Sequence, residues 1–335
     1  MRALFIGGTG VISSACTEAA IEKGIEVVLL NRGKSIRPAP PRARVVHVNA
    51  RDPRQLQNVV ENQFYDVVVD WIAYTPADIE LDLAAFRGRC RQFIFISSAS
   101  AYQTPPAVLP VTEDTPLENP YWQYSRDKIA CERRLEQARR KEGFPVTIVR
   151  PSHTYDKTML PCRGGWTTID RMRRGLPVII HGDGTSVWTL THHRDFAKGF
   201  VGLLGREDAV GEAFHITSDE WLTWNQIYEI LADAAGAPLD AVHVPSEWIA
   251  ALDPDIGAGL LGDKMHSMIF DNRKIKQFVP EFRCEIPFRE GAKEIIAWYD
   301  EHPEFQKIDE NYQRLCGRLI PVVRRTLHEL GEQPK

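Results

Sequence analysis

The 335-residue chain is 43% hydrophobic and 26% charged, ordinary for a globular protein with room for one large or two modest domains. Its net charge of −4 gives no footing for a nucleic-acid or anionic-membrane partner, and no apolar run approaches the roughly 18 residues of a membrane span. Six scattered cysteines with no C-x-x-C pair argue against a structural zinc or disulfide framework, and no basic-then-apolar leader is visible, so a cytoplasmic protein is expected.

A short apolar strand at 3–6 runs into Gly7-Gly8-Thr9-Gly10, and a helical pattern follows, ending at Gly24. This is how a chain brings backbone N–H groups against a dinucleotide pyrophosphate, so Gly7, Thr9, Gly10, Val11 and Ile12 are expected at a cofactor. A third glycine is expected at position 13, where Ser13 stands instead. The same spacing also suits an ordinary strand-to-helix turn, but a second apolar strand at 25–30 completes a βαβ unit. Asn31, Arg32 and Lys34 follow it. An acidic residue there would select NAD. Asn31 cannot repel a 2′-phosphate, and Arg32 and Lys34 can pair with one, so NADP is expected over NAD, although the three also suit a solvated basic turn.

Further strand-like runs at 45–48, 66–70, 92–97 and 146–149 are rich in Val and Ile. They alternate with helical patterns at 53–62, 77–86 and 121–142, which predicts an α/β doubly wound parallel sheet of the Rossmann type. Asn49 with Ala50, and Trp71 with Ile72 and Ala73, follow strands and are expected to line the cofactor site; core packing is an equal reading for Trp71. After Arg150-Pro151 the pattern loosens, with short strands at 178–181 and 213–217 and helices at 224–235 and 288–301. The expected organisation is a dinucleotide-binding domain over 1–155, with contributions from about 178–217. A smaller mixed α/β substrate region with C-terminal helices covers 156–335, over the carboxyl ends of the strands. The segment 310–330 reads as a helix with Leu315, Leu319, Val322, Val323 and Leu327 on one face, packing on the body or on a second subunit.

Tyr124 and Lys128 stand four apart at the start of a long helix, on one face, 26 residues after Ser98 at the end of an apolar strand. A free phenol has a pKa near ~10, and a neighbouring ammonium lowers it. Tyr124 is then expected to move a proton at a substrate hydroxyl while Ser98 hydrogen-bonds the reacting oxygen. His153, His192, His193 and His266 lack metal-ligand spacing, and no metal is expected.

These motifs together resemble the extended short-chain dehydrogenase/reductases of the NAD-dependent epimerase/dehydratase kind. The likeness rests on Gly7-Gly8-Thr9-Gly10, Ile96-Ser97-Ser98-Ala99-Ser100-Ala101-Tyr102, Tyr124 with Lys128, Val149-Arg150-Pro151 and His181-Gly182-Asp183-Gly184, over roughly residues 1–200. It implies a Ser98, Tyr124, Lys128 triad, with Lys128 on the nicotinamide ribose and Pro151 and His153 on the cofactor side. It also implies that His192 and Asp195 are structural, and a homodimer through the helices at 77–86 and 121–142. Asn49 stands where relatives often place an acid near adenine. Tyr74, Ser100, Tyr102 and Trp188 are expected to border a small-molecule substrate.

Ala99 and Ser100 occupy the places of the acids used for dehydration, and the acid of decarboxylases is missing too. That leaves oxidation–reduction at a hydroxyl-bearing carbon of a sugar or nucleotide sugar: epimerisation through a transient ketone, or keto reduction. Trp188 stands where nucleotide-sugar enzymes tend to carry an arginine; Arg163, Arg171, Arg173, Arg174, Lys264 and Arg273 are the cations left to compensate. The rival reading is a catalytically silent relative that senses dinucleotide or binds RNA.

Overall fold

The computed structural model describes residues 1–331. Seven parallel strands form one sheet: β1 (Arg2–Ile6), β2 (Glu26–Asn31), β3 (Arg44–His47), β4 (Tyr65–Asp70), β5 (Cys90–Ile96), β6 (Val146–Pro151) and β7 (Ala213–Ile216). Their order is β7-β6-β5-β4-β1-β2-β3, so the chain winds outward from β1 and then crosses back to β4. A crevice opens where the order reverses, outside the carboxyl ends of the strands. Register levels those ends: Ile6 pairs with both Leu30 and Asp70. The residues after each strand therefore share one edge.

Alternation along the strands feeds two cores. Ala3, Phe5, Val27, Val67 and Ile94 meet Cys16 of α1 (Val11–Glu22) and Phe200 of a helix at His193–Gly202. Leu4, Val28, Val68 and Phe93 meet Leu56 of α2 (Pro53–Val60), Ile79 and Leu83 of α3 (Pro76–Phe86), and Leu135 of α4 (Gln123–Glu142). Burial on both faces is why these strands read as continuous Val/Ile runs.

The 178–181 strand does not join the sheet. It pairs in parallel with Ala241–Val244, a segment with no strand expectation, and belongs to a separate core with Trp188, Trp224 and Phe288. The segment from 246 to 264 was also not anticipated. It holds two short helices, Ser246–Leu252 and Pro254–Gly259, and a π-helical turn, Leu260–Lys264. A Cβ on Gly257 would lie 2.5 Å from the Ala250 Cα, so a glycine lets the two short helices touch. The long C-terminal helix Glu310–Gly331 packs Leu315, Leu319 and Val323 on Ile179, Val242 and Ile249, as expected for packing on the body; Val322 and Leu327 face outward.

One ion pair is sealed between sheet and helix. Arg150 on β6 meets Glu132 on α4 at 2.6 Å, both nearly inaccessible, and Glu132 also accepts from Ser97. Removing one partner of such a pair costs about 3–5 kcal/mol, because the other charge is stranded. Glu132→Ala is therefore expected to lower the unfolding free energy measured by denaturant titration by that amount; a value equal to the parent's would overturn the assignment.

Candidate active site

The turn after β1 is built for close approach. Gly7 and Gly8 have φ of +106° and +88°. A Cβ on Gly7 would lie 3.0 Å from the Trp71 Cβ, and one on Gly8 would lie 2.6 Å from Leu29. Only glycine keeps this conformation without strain. Thr17 ties α1 to the turn by donating to the carbonyls of Gly8 and Ser13, each at 2.8 Å. Ser13, in the place of a third glycine, accepts from the Gly10 N–H at 2.8 Å.

Above this turn lies a cleft of about 830 Å³. It is lined by Gly7, Gly8, Thr9, Gly10, Val11 and Ile12 at one end, and by Asn31, Arg32, Lys34, Asn49 and Ala50 beside it. Trp71, Ile72 and Tyr74 form the far wall. The glycine cradle and the length of the cleft fit a dinucleotide. Asn31 Oδ1 accepts from Gly33 N at 2.9 Å, while Arg32 and Lys34 are exposed and, among the described residues, meet no carboxylate.

Two features of the cleft escaped the sequence. Arg51 pairs at its floor with Asp70 at 2.5 Å, Asp82 at 3.3 Å and Asp78 at 3.5 Å. Burial and the Asp70 carboxylate push the Asp82 carboxyl up. Arg37, from the loop between β2 and β3, reaches Asp156 at 2.5 Å and also bonds Thr158. No local signal marks a contact spanning 119 residues.

Beside Tyr74, α4 presents Tyr124 and Lys128 on one face. Lys128 is 2% exposed, and its ammonium donates to the carbonyls of Ala73 at 2.6 Å and Ile96 at 2.8 Å. It sits 4.8 Å from the Tyr74 ring centroid and 5.7 Å from that of Tyr124. Burial lowers its pKa to about 8. The Tyr124 ring packs on Trp122 at 4.9 Å.

The expectation that Lys128 makes this phenol acidic is corrected. Burial pushes Tyr124 up to about 12, against the smaller opposing effect of Ser98. The ammonium is spent on carbonyls and lies beside the ring face. Tyr124 is held protonated at neutral pH.

Other expected residues divide. Ala73 contributes its carbonyl to Lys128. Pro151 is buried at the end of β6. The His153 Nε2 is buried with no partner, and burial, with Lys264 and Arg163 nearby, lowers its pKa to about 3. Tyr102 is a correction: it is fully buried, bonds His215 Nδ1 at 3.1 Å and lies against the Arg150 guanidinium, and it does not line the cleft. Ser100 is another: its hydroxyl is engaged by Ser98 at 2.9 Å and Ser125 at 2.8 Å. Trp188 is 2% exposed and stacked on Trp224, with Lys264 over its ring at 5.8 Å. His192 bonds Glu294, and Asp195 accepts from Glu285 and Ile286 N–H.

The compensating cations divide too. Arg173, Arg174 and Arg273 are paired with carboxylates, and Arg171 bonds Pro177 O and Gln313. Lys264, paired with Asp263 at 2.9 Å, lies over Trp122 as well as Trp188. Arg163 has no side-chain partner among the described residues. It approaches both Gly259 and the same neighbourhood of Trp122: a Cβ on Gly259 would lie 3.8 Å from its Nη2 and 3.9 Å from the Trp122 ring. Among the described residues no group of three or more His, Cys, Asp or Glu is placed to hold a metal ion, and no helix is long and apolar enough to cross a membrane.

The chain is similar to 2′-dehydrokanamycin reductase of Streptomyces kanamyceticus, 29% identical over 255 residues, covering 75% of this chain and 71% of that protein. It is also similar to chloroplast stem-loop binding protein of 41 kDa b of Arabidopsis thaliana, 25% identical over 334 residues, covering 95% and 80%. Among solved structures, the epimerase Mth375 of Methanothermobacter thermautotrophicus superposes with a TM-score of 0.75 at 18% identity, covering 91% and 94%. The UDP-glucose 4-epimerase of Thermus thermophilus in complex with NAD gives 0.71 at 19%, covering 90% and 100%; at such identities the likeness is of fold. Residues 3–217 match the sequence profile of the NAD dependent epimerase/dehydratase family. With that match laid over the glycine cradle and the Tyr124–Lys128 face, the chain belongs to the NAD-dependent epimerase/dehydratase family.

Proposed function

We propose that this protein reduces a keto group on a sugar or nucleotide sugar, using a nicotinamide dinucleotide held in the cleft. The observation that supports it is geometric: Tyr124 and Lys128 share one face of α4 beside the cleft, with Lys128 seated on the Ala73 and Ile96 carbonyls. A protonated phenol is a proton donor. Bound in its reduced form, the dinucleotide supplies hydride to the carbonyl carbon. Tyr124 gives its proton to the carbonyl oxygen, so the ketone becomes a secondary alcohol. The phenolate left behind is stabilised by the Ser98 hydroxyl. Ala99 and Ser100 supply no acid for eliminating water. Epimerisation uses the same groups with the hydride returned, and the two modes differ in whether the cofactor exchanges freely. The reductase relative, by its printed name, supports reduction. The stem-loop binding relative supports the silent, RNA-binding reading. Against that reading, this chain keeps Ser98, Tyr124 and Lys128 together. Arg163 and Lys264 beside Trp122 suit a substrate carrying a negative group, such as a phosphorylated or nucleotide-linked sugar.

The cofactor reading is NADP, from Arg32 and Lys34 at the ribose end; the solved relative with NAD stands on the other side. A homodimer through α3 and α4 is also part of the proposal. Its contacts would be polar, since Glu80, Arg126, Arg133 and Gln137 are exposed on these helices.

Tyr124→Phe is expected to lower kcat by about 10²–10⁴-fold with dinucleotide binding unchanged. Retained turnover would remove Tyr124 from the chemistry, and failure of the parent to turn over any oxo-sugar or nucleotide sugar would favour the binding reading. Steady-state kinetics should give a lower KM for NADPH than for NADH. Arg32→Ala should raise the former about tenfold and spare the latter; a clear NADH preference ends the NADP reading. Light scattering at micromolar concentration should return twice the chain mass, falling at high salt; a monomer mass removes the dimer.

A further inference from the structure

We infer that Ser125 and Ser100 are positioning residues that force the Ser98 hydroxyl to donate toward the reacting oxygen. The inference rests on the reading of Ser98 and Tyr124 given above, and deepens it. Ser125 follows Tyr124 on α4 and is fully buried; Ser100 is 4% exposed, in the short 3₁₀ turn Ala99–Ala101 after β5. The Ser125 hydroxyl donates to the Ser100 Oγ at 2.8 Å. The Ser100 Oγ lies 2.9 Å from the Ser98 Oγ, and the Ser100 N–H donates to that same Ser98 oxygen at 3.2 Å.

A hydroxyl has one proton and two lone pairs. Ser100 accepts from Ser125, so its own proton is turned away from that bond, and Ser98 Oγ at 2.9 Å is the acceptor it meets. Ser98 then accepts twice, from the Ser100 O–H and N–H, and only its proton remains to be given. That proton is then free for the reacting oxygen that the proposed function places beside Tyr124. The donor direction runs Ser125 to Ser100 to Ser98, and each bond in such a chain polarises the next.

Asn119 holds the frame. It is 3% exposed; its amide donates to the carbonyls of Ser100 at 2.9 Å and Gly262 at 2.6 Å, and its oxygen accepts from the N–H groups of Tyr121 and Trp122. The 3₁₀ turn, the start of α4 and the π-helical turn are thereby locked together, and the spacing of the three serines is fixed by backbone.

The direction can be tested because the two positioning serines predict opposite outcomes. In Ser125→Ala the Ser100 proton is no longer turned away from that side, and Ser98 can then give its own proton to the Ser100 oxygen. We expect kcat to fall roughly 10- to 100-fold, with KM little changed. In Ser100→Ala that competing acceptor is gone, and Ser98 still donates forward. We expect a smaller loss of kcat, although the Ser125 hydroxyl left unpaired lowers stability. The double variant Ser100→Ala/Ser125→Ala should be faster than Ser125→Ala alone. A merely structural role predicts the reverse order, with the double variant slowest. Ser125→Thr, which restores a hydroxyl, should recover part of the rate.

If Tyr124→Phe abolishes turnover but Ser125→Ala is as fast as the parent, or the double variant is slower than Ser125→Ala, the inference is overturned and the functional reading stands. If Tyr124→Phe is fully active, the functional reading fails first. Thermal melts of each variant establish that the folded protein is being measured.

Discussion

The Lys128 ammonium lies between the carbonyls of Ala73 and Ile96, at 2.6 and 2.8 Å, and joins the loop after β4, the end of β5 and the helix that carries Tyr124. Helical spacing carries the constraint on to Tyr124, which cannot leave the mouth of the crevice while Lys128 stays seated. A buried cation is tolerated here because it is hydrogen-bonded and surrounded by the ring faces of Tyr74, Phe95 and Tyr124. Burial also lowers the affinity of Lys128 for its proton, so the group is less a fixed charge than its place in the sequence implies.

The site is thus assembled from carbonyls and hydroxyls more than from opposed charges. Charge pairs are used elsewhere, as struts. Glu132 and Arg150 brace α4 against the sheet, Arg51 gathers three aspartates under the cleft, and Arg37 spans the cleft to Asp156. These pairs position walls. The Tyr124 end of the cleft is left to a phenol, serine hydroxyls and an amide, Asn119, whose bonds tie the turn after β5 to the start of α4 and to the π-helical turn. With neither Ala99 nor Ser100 an acid, the arrangement favours the reduction proposed above over loss of water.

The relatives pull in two directions, toward a reductase and toward a stem-loop binding protein. The fold accommodates both, because a dinucleotide cleft at a switch point supports binding with or without chemistry. What weighs toward chemistry in this chain is local: Ser98, Tyr124 and Lys128 converge, and the Ser98 hydroxyl is supported from behind by two further hydroxyls.

Local sequence was enough for the parallel sheet, the glycine turn and the helix bearing Tyr124 and Lys128, since each is encoded by short-range signals: Val/Ile runs, glycines with positive φ and a four-residue spacing. Strand ends fell within about two residues of the reading, and Arg32, Lys34, Trp71 and Ile72 do line the cleft. Tertiary structure decided the rest. Tyr102 and Ser100 follow the same strand as Ser98 and read as pocket residues, but packing against Arg150, His215 and Ser125 turns them inward. The Tyr124 phenol was expected to be acidic from its neighbour, yet burial outweighs that neighbour once carbonyls take the ammonium. The pairing of 178–181 with Ala241–Val244, the Arg37 strap and the π-helical turn all join residues far apart in the chain. Periodicity reports which face of an element is apolar; it carries no information on which distant group will meet that face, and that meeting sets proton affinities and hydrogen-bond direction.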